Sequence, residues 1–220
     1  MSGPHGNLPQ PLANAPLALL GDMHSQMSFG ERAALEGVLA QLWPKLAVEI
    51  GSADGGSLER IACYSDEVHS FDLARPPLGV WRGHVFPHVG DSHRELLPWL
   101  DGLGERQVDF ALVDGDHTAD GVQQDVLDLL AANATRHTVV LAHDAANPDV
   151  RAGLTHCALD SHPRVVYHDL DFLAGYEFAE GPFAGQTWGG MALIVTGDRA
   201  CDGYGDAPAQ TLYRRRLPHG

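Results

Sequence analysis

The amino-acid sequence predicts an α/β fold, a mostly parallel sheet with helices on both faces. Two observations point there. From residue 46 to about residue 160, short apolar runs alternate with segments of helical period, which is the pattern of strands joined by crossover helices. The length of 220 residues, with 44% hydrophobic and 20% charged residues, suits one soluble globular unit of that kind.

The elements follow in order. Ser28 with Glu31 three residues later forms a capping box. Leu35, Val38, Leu39 and Leu42 then fall on one helical face, which Pro44 closes. Leu46–Ile50 is the first strand and residues 51–56 a glycine-rich turn into a helix over 57–64. Residues 68–71 form a second strand ending at Asp72, and a loop over 74–83 leads to a third strand at 84–89. Ser92 and Glu95 make a second capping box, with Ser92 as the N-cap of a helix reaching about Leu103. A fourth strand is expected at 108–113. Thr118 caps the next helix, whose apolar face carries Val122, Val126, Leu129 and Leu130. Residues 138–142 are a fifth strand, and Asn147-Pro148 opens another helix. Two late strands, 164–167 and 191–196, bring the count to seven; a long connection containing Trp188-Gly189-Gly190 separates them.

Three segments result: an N-terminal arm (1–27), the α/β domain (28–200) and a C-terminal tail (201–220). The net charge of -15, from 14 basic and 29 acidic residues, argues against nucleic acid as a partner, because a phosphate backbone would be repelled. The basic run 214–216 reads as part of a solvated tail. No stretch is long and apolar enough to span a bilayer, and the first residues lack the features of a secretory signal. Cys63, Cys157 and Cys201 are odd in number and widely spaced, as expected of reduced thiols in the cytoplasm. Of the 13 histidines, those outside the candidate site are too dispersed to be read as a metal cluster, and most are expected at the surface.

Ligands of such sheets sit beyond the carboxyl ends of the strands, near the point where strand order reverses. The first strand ends in Glu49-Ile50-Gly51-Ser52-Ala53-Asp54-Gly55-Gly56-Ser57. This is not the Gly-x-Gly-x-x-Gly of dinucleotide enzymes. Glu49 and Asp54 would repel a pyrophosphate but suit a ligand with an ammonium and a sulfonium. Asp72 lies 21 residues after Gly51, where a carboxylate can accept both hydroxyls of a ribose.

At these residues the sequence resembles the class I methyltransferases that use S-adenosylmethionine (SAM). The resemblance implies a Rossmann-like, seven-stranded, mostly parallel sheet. It also implies SAM contacts at Glu49, Gly51, Ser52, Gly55, Ser57 and Asp72, at Asp91 and Ser92 beside the adenine, and at Asp114. Asp114-Gly115-Asp116-His117 and His143-Asp144 are similar to segments of the small sugar and natural-product O-methyltransferases of the macrocin and mycinamicin kind. That likeness implies Asp114 and His117 as catalytic residues, His117 being the general base for an acceptor hydroxyl. It also implies a divalent metal at Asp114, His143 and Asp144. His143 stands where that group has an acid, which weakens the case for Mg²⁺ and favours a metal that accepts imidazole, such as Mn²⁺, Fe²⁺ or Zn²⁺.

The expected partner is a small-molecule acceptor, with no nucleic acid or membrane; the oligomeric state stays open, a homo-oligomer included. Asp116 reads as a structural acid at a helix N-terminus. Tyr176, Phe178, Phe183 and Trp188 read more simply as cover for the sheet edge than as an acceptor wall. The alternatives are an N-methyltransferase, a non-catalytic SAM-binding protein and a Rossmann oxidoreductase.

Overall fold

The computed structural model describes residues 26–76 and 83–198. In chain order the strands are β1 (Leu46–Ile50), β2 (Glu67–Asp72), β3 (Val85–Val89), β4 (Phe110–Val113), β5 (Val139–His143), β6 (Val165–Glu177) and β7 (Thr187–Thr196). The helices are α1 (Phe29–Leu42), α2 (Gly56–Tyr64), α3 (Ser92–Gly102), α4 (Ala119–Ala131) and α5 (Pro148–His156). The strands form one sheet in the order β3-β2-β1-β4-β5-β7-β6. Strands β3 through β5 pair in parallel, and β7 runs antiparallel to both of its neighbours. This is the Rossmann-like, seven-stranded, mostly parallel sheet that was expected. Order reverses between β1 and β4, so a crevice opens at their carboxyl ends.

The two faces carry separate cores, as the strand period requires. Leu46, Val48 and Ile50 point into a cluster with Leu96, Val122, Val126 and Leu154 from α3, α4 and α5. Ala47 faces the opposite cluster with Leu35 and Leu39 of α1 and Leu58 and Ile61 of α2. Glu49 shares the parity of Ala47, so a carboxyl group is driven into an apolar layer.

The expected elements are present, with two differences. Ser92 is not the N-cap of α3. Asp91 takes that position, its carboxylate accepting the His93 amide at 3.1 Å, while the Ser92 hydroxyl donates to Asp125 at 2.9 Å. A carboxylate one residue earlier already accepts the His93 amide, which leaves the serine for a tertiary bond. The expected long connection after residue 167 is largely strand. Residues of β6 as far as Glu177 pair with β7, through register shifts near Val165 and Asp169. Those irregularities break the period-2 pattern, so the ribbon is not evident as a strand. Most of the N-terminal arm, residues 77–82 of the loop, Cys201, and the tail with its basic run lie outside the described residues.

Candidate active site

The turn after β1 is shaped by its glycines and tied down by Asp72. Gly51 has φ +82°, and a Cβ there would lie 2.1 Å from the carbonyl oxygen of Asp114, so only glycine lets the ends of β1 and β4 close up. Gly55, also at positive φ, leads into α2. Asp72 Oδ2 accepts the amides of Ser52 (2.8 Å) and Ala53 (2.9 Å), and Oδ1 accepts that of Ala74 (2.9 Å). The residue expected to meet a ribose thus also holds the turn in place, with lone pairs to spare.

Glu49 lies beneath this turn with no exposed surface. Burial pushes its carboxyl up to about 8, the hydroxyls of Ser52 and Ser57 pulling the other way. Neither carboxyl oxygen makes a hydrogen bond of good geometry.

Across the crevice, the ends of β4 and β5 bring four expected residues together. His143 Nδ1 is 3.1 Å from Asp114 Oδ1 and 3.4 Å from Asp144 Oδ2. His117 Nε2 is 2.9 Å from Asp144 Oδ2 and 3.6 Å from Asp114 Oδ1. Asp144 sits at φ +53°, a left-handed conformation that aspartate tolerates better than most residues. The Gly189 amide donates to its Oδ1 at 2.6 Å. Asp116 accepts the Thr118 amide at 2.8 Å, the structural role expected of it.

Charge in this cluster is paired. Hydrogen bonding to Asp114 and Asp144 raises His117 to about 9, against burial. Burial also opposes the charged form of His143, but Asp114, Asp144 and Glu31 outweigh it and hold the ring well above the usual histidine range. Burial likewise disfavours ionised Asp144, yet His117, His143 and the Gly189 amide keep its carboxyl well below its ordinary value. In the ligand-free protein at neutral pH, both imidazoles are therefore cations set among carboxylates.

Asp114, His143 and Asp144 each present a donor atom, and these atoms lie within 4.8 Å of one another. Two carboxylates and an imidazole around one point fit a divalent metal. His143 could ligate through Nδ1 while Nε2 stays protonated toward Glu31, which matches the carboxylate–histidine arrangement around many metals.

The turn and the cluster border one cleft of about 1120 Å³. Of the residues expected to bind a cofactor, Gly51, Ser52, Ser57, Asp72, Asp91, Ser92 and Asp114 line it, while Glu49 and Gly55 do not. His117, His143 and Asp144 line it as well. The aromatic residues correct an expectation. Tyr176, Phe178, Phe183 and Trp188 line the cleft, because the β6–β7 ribbon overhangs the end of β5. Trp188 meets His117 edge-on with ring centroids 5.5 Å apart. Two contributors gave no functional signal in the sequence. Glu31 reads there as a helix cap, and Gly189-Gly190 as part of a loop.

Residues 48–145 match a family described as "Methyltransferase domain". A search of the curated proteins finds no match to the chain. Several solved structures share the fold at low identity. An O-methyltransferase from Bacillus cereus in complex with SAH is 15% identical, with a TM-score of 0.59 over 86% of this chain and 90% of that one. The O-methyltransferase TomG from Streptomyces achromogenes, involved in tomaymycin synthesis and solved with SAM, is 18% identical, with a TM-score of 0.55 over 78% and 81%. MycE methyltransferase from the mycinamycin biosynthetic pathway, in complex with Mg, SAH and mycinamycin VI, is 14% identical, with a TM-score of 0.51 over 79% of this chain and 50% of that one. Among the described residues, no helix is long and apolar enough to cross a membrane.

Proposed function

We propose that this protein, with a methyltransferase-domain match over residues 48–145, is a SAM-dependent methyltransferase acting on a hydroxyl of a small-molecule acceptor. One observation carries the reading. The glycine turn with Asp72 and the cluster of Asp114, His117, His143 and Asp144 line the same cleft. The first set suits SAM. Glu49 supplies a buried carboxyl group with unused hydrogen-bonding capacity, and the acids at the rim would repel a pyrophosphate, which counts against a dinucleotide oxidoreductase.

SAM supplies a methyl group already activated by its sulfonium. The chain's own residues must position the acceptor and remove its proton. The aromatic wall offers faces against which an apolar ring surface can pack, a sugar or other natural-product intermediate among them. His117, between that wall and the acids, is the group placed to take the hydroxyl proton once its own proton has left. Orientation of this kind contributes up to ~7–11 kcal/mol in favourable cases, and a positioned base about 10²–10⁴-fold. A metal held by Asp114, His143 and Asp144 would supply Lewis acidity to an acceptor oxygen. Buried thiols at Cys63 and Cys157 fit a reducing compartment, the cytoplasm.

Calorimetry tests the cofactor half directly. The protein should bind SAM and S-adenosylhomocysteine, and NAD negligibly. Asp72→Ala should weaken SAM binding by roughly 1.5–3 kcal/mol, the size of hydrogen bonds to a charged group. Unchanged affinity in that variant would remove Asp72 from the site. The metal half has its own test: EDTA should abolish turnover while leaving SAM binding largely intact, because the metal would hold the acceptor. Full turnover in EDTA, with no metal found by elemental analysis, would rule the metal out.

A further inference from the structure

Glu31 is legible as the capping-box residue of α1, and it does fill that role: its amide donates to the Ser28 hydroxyl at 3.3 Å and its Oε2 accepts the Ser28 amide at 2.5 Å. A cap needs nothing more and usually sits at the surface. This one is 1% exposed. Its second oxygen, Oε1, accepts the amide of Gly190 at 2.5 Å, 159 residues away, and stands 3.5 Å from Nε2 of His143. That Nε2 is buried and makes no other hydrogen bond of good geometry. The next amide along the ribbon, Gly189, donates to Asp144. Consecutive glycines, both at positive φ, thus hand their N–H groups to two different carboxylates, with the His143 ring beside both acids. A side chain at Gly189 would meet both Tyr176 and Glu31, so the close approach depends on glycine.

The geometry points to Glu31 as a positioning residue for the acid–imidazole cluster. It orients the His143 ring so that Nδ1 faces Asp114 and Asp144, and it clamps the Gly189-Gly190 segment of β7, whose Gly189 amide holds Asp144. The inference takes from the proposed function only that this cluster is the working part of the cleft. The physical reason is that a buried imidazole keeps its orientation when its outward nitrogen faces a fixed acceptor, and loses it when that acceptor goes.

Two variants separate this role from capping. Ser28→Ala breaks the capping box and leaves the Glu31 carboxylate. Glu31→Gln keeps the length and one acceptor oxygen but removes the negative charge facing Nε2. The ring nitrogen resonances of His143 would be read at one fixed pH in the full-length protein, with Mn²⁺ affinity measured by calorimetry on the same samples. Glu31→Gln should shift the His143 resonances and weaken Mn²⁺ binding about 10–100-fold. Ser28→Ala should leave both near wild type, and S-adenosylhomocysteine affinity should be unchanged in each. His143 resonances unmoved in Glu31→Gln, or moved equally by Ser28→Ala, would overturn the assignment and leave Glu31 as a cap. If wild type binds no Mn²⁺, the metal reading fails alone, because the resonances still decide on Glu31.

Discussion

Replacing His117 by alanine is expected to lower kcat about 10²–10⁴-fold with any acceptor that the wild-type protein methylates, while SAM affinity stays nearly constant. The separation follows from position. His117 follows β4 and pairs with Asp114 and Asp144, whereas the turn assigned to SAM is built by Gly51–Ser57 and Asp72. The same variant carries a pH signature. Asp114 and Asp144 raise His117 to about 9, and only the neutral ring can accept a proton. For wild type, kcat/KM should therefore climb with pH through about 9 instead of through the ordinary histidine range near 6.5. The alanine variant should lack that limb. Near-normal kcat with an unchanged pH profile would place the base elsewhere, or identify an acceptor such as an amine that needs none.

The second large effect is expected at Glu49. Glu49→Gln should make the ligand-free protein more stable at pH 8 than wild type, with little difference near pH 4. Burial raises this carboxyl from 4.5 to about 8 in the folded state. A raised folded-state value means that the group's contribution is complete below 4.5 and is lost as pH climbs through 8, at up to about 1.4 kcal/mol for each pH unit. Glutamine has no proton to lose and escapes that decline. The same change should weaken SAM binding about tenfold, because the negative charge that costs stability is the charge an ammonium group would seek. Urea unfolding at pH 4, 6 and 8 checks the first half and calorimetry the second. Parallel stability curves for the two proteins would show that Glu49 does not titrate as its burial implies.

Much of this was legible in the sequence, and the reason is local. Strand–helix alternation announces a parallel sheet, and the switch-point rule then directs attention to the residues at and after the strand ends, Asp72 among them, while the roles expected of Asp114, His117, His143 and Asp144 come from the family resemblance. Glu49 shows the limit of that approach. Its position was plain, but its complete burial depends on which way β1 faces between two apolar layers. The β6 extension was hidden because irregular register breaks the alternation that marks a strand. The dual role of Glu31 was hidden for a different reason: a capping box explains that glutamate fully at short range, and nothing local hints at a partner 159 residues away.

That separation also bears on the order in which the molecule becomes native. The glycine-turn side of the cleft is supplied by residues 49–92, whose strands pair with neighbours close in sequence. The acid cluster must wait for β7, which comes last in the chain yet inserts between β5 and β6. At roughly 5–20 residues per second of synthesis, the two halves are separated by several seconds on the ribosome. Long-range closure of this kind is also the slow part of refolding, because the loop entropy is lost before the contact forms. A nascent or partly refolded chain would thus form the glycine-turn side of the cleft before the acid–imidazole cluster.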